Sequence, residues 1–335
     1  MANRIQLRRD TGANWASVNP VLAQGEVGIE TDAVPIQIKI GDGSTAWNNL
    51  PYIGNSSEIY VTSFGADPTG VLDSSDAIIS AINSVPNGGI IVFPNGTYLI
   101  SKSISISNVN NIKIIGSGNS IIHAEGFNGQ HFDLIDCRRW TFENLTLIGE
   151  GIDAERSIGG IYIHLSNNDN NPNHTFRNLL VKDITNDGIA IATPILCVLE
   201  NVTVRLAAGH CFNMYMGTSV SFISCYALTC TQGGFHFNGM TYCSLNSCAA
   251  EVNGVAYDFV NSKAMVMYGC GSEDILNRSI EYPGIAIRVN GKNATAIACY
   301  SRSSAGGHLQ AINSGVLHYL DFYNGDTGTN SSNLS

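Results

Sequence analysis

Charged side chains are scarce in this sequence, since Asp, Glu, Lys and Arg make up 13% of its residues. So few charges argue against long solvent-exposed helices. Acidic residues outnumber basic ones by 27 to 17, a formal charge of −10, which disfavours nucleic acid and anionic membrane surfaces as partners. No apolar run approaches the ~20 residues of a membrane-spanning helix. The sequence therefore predicts neither a nucleic-acid partner nor membrane insertion.

A secretory signal is also missing, because the opening MANRIQLRRD is not followed by an apolar segment. We therefore expect assembly in the cytoplasm, where cysteines stay reduced. The odd number of cysteines, nine, favours free thiols as well. Zinc binding by Cys225, Cys230, Cys243 and Cys248 is the alternative, but neither pair has C-x2-C spacing and no His follows at the usual distance. The sequence therefore predicts no metal and no other cofactor.

Residues 1–56 have the composition of a separate unit. Trp15 and Trp47 flank a Gly-Asp-Gly turn at 41–43, and Asn-Ser-Ser at 55–57 has the composition of a linker. The segments 4–11, 19–32 and 39–47 resemble a small module found at the N-termini of phage tail fibres and phage hyaluronidases. The resemblance implies that this domain docks the protein to a phage tail or adaptor protein.

A helix is predicted where the second unit begins, over about 74–85. Asp73 or Ser74 supplies an N-cap, and the apolar positions that follow recur at helical spacing, at Ala77, Ile78, Ala81 and Ile82. A buried strand pattern and a Pro-Asn-Gly turn come next. The stretch from 61 to 98 resembles the opening of pectate-lyase-like right-handed β-helices, as in phage tailspikes, where a helix covers the first coil.

Glycine is abundant, and it marks a repeat of about 24 residues through the rest of the chain. Apolar strand patterns follow glycines at similar intervals, at Gly160, Gly188, Gly209, Gly234, Gly254, Gly284 and Gly307. No amphipathic helix of ten or more residues follows residue 85. The sequence therefore predicts an all-β fold: a right-handed parallel β-helix of about eight coils over 57–335, with a capping helix and a small β-rich N-terminal domain.

A short sequence motif repeats along the chain and predicts a ladder of like residues along one corner of the coils. Phe142-Glu143-Asn144, Phe176-Arg177-Asn178 and Leu199-Glu200-Asn201 share one pattern. By spacing, the pattern continues into Cys225, Cys248, Cys270 and Cys299. We expect these Asn and Cys residues to stack on one another, with Asn hydrogen-bonding between coils and Cys packing as buried thiols.

Strand alternation predicts a polar outer face on the first strand of each coil. Its outward positions are Tyr162, His164, Asn213, Tyr215, His236, Asn238, Asp258 and Arg288. Rings that stack on pyranose faces, together with fixed polar groups for hydroxyls, suit sugar binding; an ordinary solvent-facing sheet is the alternative. Within this set, His236 and Asp258 on adjacent coils have the character of a base and the carboxylate that orients it.

A second candidate site lies just past the Cys corner, where successive coils place Glu251, Glu273 and Arg302, with Asp274 beside them. Stacked carboxylates ~5 Å apart match the separation in retaining glycosidases. With Arg302 above them, the same residues suit a polysaccharide lyase. A solvated charge ladder satisfied by Arg302 is the alternative to both.

Taken together, the two resemblances imply a phage tailspike that attaches the virion to host surface polysaccharide, LPS or capsule. They imply a homotrimer located in the virion tail. The same fold occurs in spikes that cleave their receptor and in spikes that only bind it, and the sequence does not distinguish the two functions. A free bacterial pectate lyase is disfavoured by the missing signal and by the docking module.

Overall fold

The computed structural model of the protein describes residues 7–33, 36–50, 52–53, 58–85, 88–165 and 173–333. Strands in three sheets dominate this part of the chain. Its two α-helices are Gly12–Val18 and Ser75–Asn83, and its two 3-10 helices are Trp47–Asn49 and Val61–Phe64. None of the described helices has the length and apolarity to cross a membrane. The prediction of an all-β fold is confirmed.

The N-terminal segment forms a small sheet with a core of its own. Its four strands are Arg8–Asp10, Val27–Glu30, Gln37–Ile40 and Tyr52–Ile53. Trp15 and Trp47 stack with ring centroids 4.0 Å apart, over buried Leu22 and Leu50. Both tryptophans are therefore core residues. The predicted linker at 55–57 lies outside the described residues.

The rest of the chain winds into stacked parallel coils that share two long sheets. The strands of the nine-stranded sheet are Ile104–Ser107, Gly129–Ile135, Ile158–His164, Ile189–Ala192, Phe212–Tyr215, Gly233–Asn238, Val255–Val260, Ile285–Asn290 and Gly307–Ile312. The strands of the twenty-stranded sheet are Glu58–Tyr60, Thr69–Asp73, Gly89–Phe93, Gly96–Ile100, Ile112–Gly116, Ser120–Ala124, Thr141–Ile148, Thr175–Ile184, Val198–Ala207, Ser221–Ile223, Tyr226–Cys230, Ser244–Asn246, Ala249–Glu251, Met265–Tyr268, Gly271–Ile275, Asn293–Ile297, Tyr300–Ser304, Val316–Leu320, Phe322–Asn324 and Thr329–Ser331. The predicted β-helix is thus present.

Inward-facing residues stack on their equivalents in the next coil and fill the space between the sheets. Phe212, Phe235 and Tyr257 form one such column, with successive ring centroids 4.8 and 5.1 Å apart. All three side chains are fully buried. Offset aromatic stacking and removal of apolar area from water together stabilise the column. This packing fixes which side chains of each coil point outward.

The predicted capping helix is present as Ser75–Asn83 and covers the first coils with Ile78, Ala81 and Ile82, all fully buried. Asp73, rather than Ser74, supplies the capping side chain, because its Oδ1 accepts the backbone N–H of Ser75 at 3.1 Å. The helix seals apolar core that an open coil end would expose to water.

The predicted corner ladder exists, but the prediction is wrong by one residue in its second half. Asn178 donates to Asn144, and Asn201 donates to Asn178, at 3.0 and 2.9 Å. The strand register aligns Glu200 with Ile223, which places Ser224 above Asn201 and Cys225 above Val202. The cysteines therefore form their own buried column beside the asparagines.

Backbone geometry explains the offset. The corner position has a positive φ in successive coils, 57° at Asn144, 51° at Asn201 and 52° at Ser224. Asn adopts this left-handed conformation more readily than most residues because its side chain bonds locally, whereas the following residue faces the core. Cys225 is 1% exposed. Spacing alone does not separate these two neighbouring positions.

The expectation that every cysteine is reduced is wrong for one pair, since Cys211 and Cys230 form a disulfide. Their Cα atoms lie 5.7 Å apart, because the coil returns close to its own start. The other seven cysteines are free and buried. Burial raises the pKa of the Cys197 thiol to about 12, which keeps this thiol protonated and unreactive.

The Asn corner can be tested with two substitutions at Asn201. N201G keeps the positive φ and loses the ladder hydrogen bond, whereas N201V adds β-branched strain at the same φ. We expect the free energy of unfolding of N201V to be about 1–2 kcal/mol lower than that of N201G. Urea unfolding followed by circular dichroism measures both values. Equal stability of the two variants would contradict the assigned corner.

Candidate functional site

A continuous outward row runs along the nine-stranded sheet, with one residue from each of eight successive strands. We call it row A; in register order it contains Asp133, Tyr162, Ala190, Asn213, His236, Asp258, Arg288 and Gln310. Neighbouring members lie one strand spacing apart, ~4.8 Å, which is close enough for direct contact between long side chains. Five of the sequence-predicted site residues therefore share one line.

Asp258 is the centre of a buried ion network within row A. Arg288 donates two hydrogen bonds to its carboxylate, at 2.8 and 2.7 Å, and His236 Nδ1 lies 3.0 Å from Asp258 Oδ2. Burial opposes ionisation of Asp258, but these hydrogen bonds outweigh it and lower the pKa of Asp258 to about 2. The carboxylate therefore holds His236 in one orientation, with its other nitrogen directed away.

A second imidazole–carboxylate pair lies beside the first. Asp187 Oδ1 accepts the backbone N–H of His210 at 2.7 Å and lies 3.3 Å from His210 Nδ1, while Asp187 Oδ2 accepts from Asn213 at 2.7 Å. Burial acts against ionisation, but the bonds from His210 and Asn213 prevail and lower the pKa of Asp187. The rings of His210 and His236 stack, with centroids 4.4 Å apart. The two pairs thus form one polar cluster.

The expectation that Asp258 and Arg288 face solvent is wrong, because they are only 1% and 9% exposed. The segment 276–284, inserted between two strands, packs over them. Its Glu281 carbonyl accepts from Arg288 Nη1 at 2.6 Å, and its Tyr282 hydroxyl lies 3.5 Å from His210 Nε2. This insertion, which we call the strap, converts an outer face into a partly buried site.

A cleft of about 310 Å³ opens next to this cluster. It is lined by Gln130, Tyr162, Asn186, Asp187, Ala190, Ile191, Ala192, Asn213 and Tyr215. Tyr162 and Tyr215 are 36% and 47% exposed, so their rings are available to a ligand. Exposed rings around fixed amide and carboxylate groups are the components of a carbohydrate site.

The remaining predicted residues of this face lie at the edge of the cleft. His164 stacks on Tyr162 with ring centroids 4.9 Å apart, and its Nε2 lies 3.3 Å from the Asp133 carboxylate. Asn238 lies in register with Tyr215, one coil further along. These side chains extend the polar face on either side of the cleft.

The second predicted site lies on the twenty-stranded sheet, separate from row A. Glu251, Glu273 and Arg302 are in register on successive coils, as expected, and the Arg302 guanidinium donates to Glu273 at 2.7 Å. Burial and a hydrogen bond to Glu251 raise the pKa of Tyr226 to about 12. Asp274 is exposed, at a positive φ of 51°. Both glutamates are thus already engaged by neighbouring side chains.

Sequence reasoning missed Asp187, His210 and Tyr282. Asp187 precedes Gly188 and His210 follows Gly209, so both flank glycines that mark the repeat, one coil apart. Their common position beside the repeat glycines could have identified them. The alternation pattern did not, because it applies only to the strand after each glycine. Tyr282 belongs to the strap, whose contacts no repeat pattern predicts.

Two family models match parts of the chain. Residues 59–145 match the rhamnogalacturonase A/epimerase, pectate lyase-like family, and residues 5–45 match the major tropism determinant N-terminal domain. No curated protein matches the chain.

Solved structures resemble the chain over nearly its whole length. The enzymatically active domain of tailspike protein 2 from bacteriophage CBA120 has a TM-score of 0.66 at 14% identity, over 97% of this chain and 55% of that one. The gp42 tailspike of Acinetobacter phage vb_AbaP_AS12 has a TM-score of 0.56 at 12% identity, over 98% and 76%. The chain has a tailspike-type β-helix.

A third match, ORF18 of Geobacillus virus E2, has a TM-score of 0.55 at 17% identity, over 96% of this chain and 75% of that one. The matches confirm both resemblances found in the sequence. The chain spans about half the length of the CBA120 structure that it matches. In the tailspike-type β-helix described here, the cleft and the polar cluster lie on the nine-stranded sheet.

The buried network predicts a large effect of D258N. This substitution leaves the buried Arg288 guanidinium without its counter-charge, which costs about 3–5 kcal/mol of unfolding free energy. The matched control E273Q removes a carboxylate from an exposed pair and costs about 1 kcal/mol or less. Urea unfolding of both variants measures the difference, and equal losses would contradict the network.

The same variant gives a pH test. The pKa of Asp258 is about 2 in the folded chain and 3.8 for an ordinary Asp, so its stabilisation is complete above about pH 4 and is lost as the pH falls towards 2. We therefore expect the stability difference between wild type and D258N to shrink from pH 5 to pH 2. A difference that stays constant over this range would assign the effect to another cause.

Proposed function

We propose that the protein is a phage tailspike that attaches the virion to a host cell-surface polysaccharide, either LPS or capsule. The observation that carries this proposal is the cleft between Tyr162 and Tyr215, which Asp187 and Asn213 also line. Exposed aromatic rings stack on the apolar faces of sugars, and the fixed polar groups bond their hydroxyls. The tailspike-type fold supports the same assignment.

The N-terminal sheet is proposed to dock the spike, through residues 1–56, to a phage tail or adaptor protein. Its match to the major tropism determinant N-terminal domain supports this role. The proposed location of the protein is therefore the virion, after assembly in the host cytoplasm. The β-helix of residues 57–335 is proposed as the receptor-binding domain.

A homotrimer is proposed as the assembled form. The twenty-stranded sheet carries an outward row in which Ile223, Asn246, Tyr268 and Ile297 are in register. Tyr268 is 56% exposed, and Val266 beside it is also exposed. The exposed apolar side chains of Ile223, Val266 and Tyr268 on this face favour burial against symmetry-related copies.

Cleavage of the bound polysaccharide is the second candidate function. It is favoured by the register of Glu251 with Glu273, which places the two carboxylates on adjacent coils, ~4.8 Å apart in backbone spacing. This spacing suits a retaining glycoside hydrolase, and Arg302 suits a polysaccharide lyase. His236 oriented by Asp258 is the competing catalytic pair on the other sheet.

Receptor binding can be tested with aromatic truncations. Y162A and Y215A each remove one ring from the cleft, and we expect about tenfold weaker binding to purified host polysaccharide, measured by surface plasmon resonance. Y60A removes an exposed ring from the first coil of the other sheet and should bind as wild type does. Wild-type affinity in both cleft variants would contradict the proposed site.

Cleavage can be tested on any polysaccharide that the wild type binds, by reducing-end release and by absorbance of unsaturated products at about 235 nm, which marks β-elimination. If Glu251 and Glu273 are catalytic, E251Q and E273Q lose at least about 100-fold in rate. If product release persists in both variants but is lost in H236A, the catalytic residue is His236 in row A. No release from a bound host polysaccharide leaves a spike that only adsorbs.

A further inference from the structure

Two alanines interrupt the polar face at the cleft. Ala190 belongs to row A, between Tyr162 and Asn213, and Ala192 lies in register with Tyr215. The coil that carries both alanines has no long outward side chain on this strand, whereas the coils on both sides do. The result is a notch one strand wide across the nine-stranded sheet.

The walls of the notch are aromatic and polar. One wall is the stacked pair of Tyr162 and His164, and the other consists of Asn213 and Tyr215. The two flanking strands are two strand spacings apart, about 9.6 Å. Subtracting the van der Waals thickness of the two walls leaves a free width of about 6 Å, which admits one pyranose ring edge-on.

The charge inside the notch has a single sign. Asp187 is the one charged group among the described residues that line the cleft, and its pKa is lowered by the bonds from His210 and Asn213, against the effect of burial. The Arg288 guanidinium is held by Asp258 and by the Glu281 carbonyl, and the Arg156 guanidinium pairs with Glu150. His164 lies against the Asp133 carboxylate. A uronate, sulfate or phosphate group in the notch would therefore meet a carboxylate and no free cation.

From this geometry we infer that the notch binds one uncharged sugar of the receptor polysaccharide, a neutral hexose or an N-acetylated hexosamine. Asp187 accepts hydrogen bonds from the hydroxyls of that sugar, and Asn213 orients Asp187. This inference rests on the proposed receptor-binding function and adds the chemical class of the sugar. Any acidic sugar of the repeat then lies outside the notch.

The test uses the full chain on an array of purified O-antigen and capsular polysaccharides of known repeat structure. Each uronate-containing member is printed beside its carboxyl-reduced form, in which the uronic acid has become the neutral sugar. We expect carboxyl reduction to leave binding unchanged or to strengthen it, since no group in the notch pairs with a carboxylate. Binding that falls about tenfold or more on reduction, and that then loses nothing further in the notch-filling variant A192W, overturns the inference while polysaccharide binding itself stands.

Two tryptophan variants place the effect in the notch. A192W fills the notch, and V260W introduces the same side chain two coils beyond Tyr215 in the same register. We expect at least about tenfold weaker binding by A192W and unchanged binding by V260W, with matching thermal unfolding as the check on folding. Wild-type binding by A192W overturns the notch as the subsite. Absence of any bound polysaccharide contradicts the proposed function, and the inference falls with it.

Discussion

Parallel register between successive coils is the constraint on which the rest of this structure depends. Each coil repeats the same in-and-out alternation, so that a shift of one residue in one strand would turn its core side chains to solvent. Aromatic columns such as Phe212, Phe235 and Tyr257 oppose such a shift because they stack only in one alignment. The register that protects the core also aligns Asn213, His236, Asp258 and Arg288 on the outer face.

Row A is shielded from water at one end by a covering segment, whereas the cleft stays open to solvent. The strap performs this role, because it buries Asp258 and Arg288 and brings Tyr282 next to His210. A buried ion pair contributes little net stability but penalises the loss of either partner, which makes such pairs effective at holding neighbouring groups in place. His236, held by Asp258 and stacked on His210, is one such group. Gly233 leaves room for this stack, since a Cβ there would lie 3.0 Å from the His210 ring.

Much of this architecture could be predicted from the sequence, because all coils of a solenoid share one geometry and the sequence therefore repeats with the coil. Glycine spacing and strand alternation predicted the coils and the line of row A, and apolar residues at helical spacing predicted the helical cap. The corner ladder was displaced by one residue because Asn201 and Cys225 fit the same approximate period, whereas positive φ separates them. The burial of Asp258 and the contacts of Tyr282 depend on the strap, which is an insertion. The Cys211–Cys230 disulfide depends on the coil returning close to its start. The repeat period encodes neither feature.

Coil stacking brings Asp258 and Arg288 into direct contact across 30 residues of sequence. A double-mutant cycle on this pair tests this contact most directly, using D258N, R288M and the combined variant, with unfolding free energies from urea titration. We expect a coupling energy of about 2 kcal/mol or more, because the second substitution removes the charge that the first left unpaired. Additive effects, with coupling near zero, would show that the two side chains do not meet and would contradict the register.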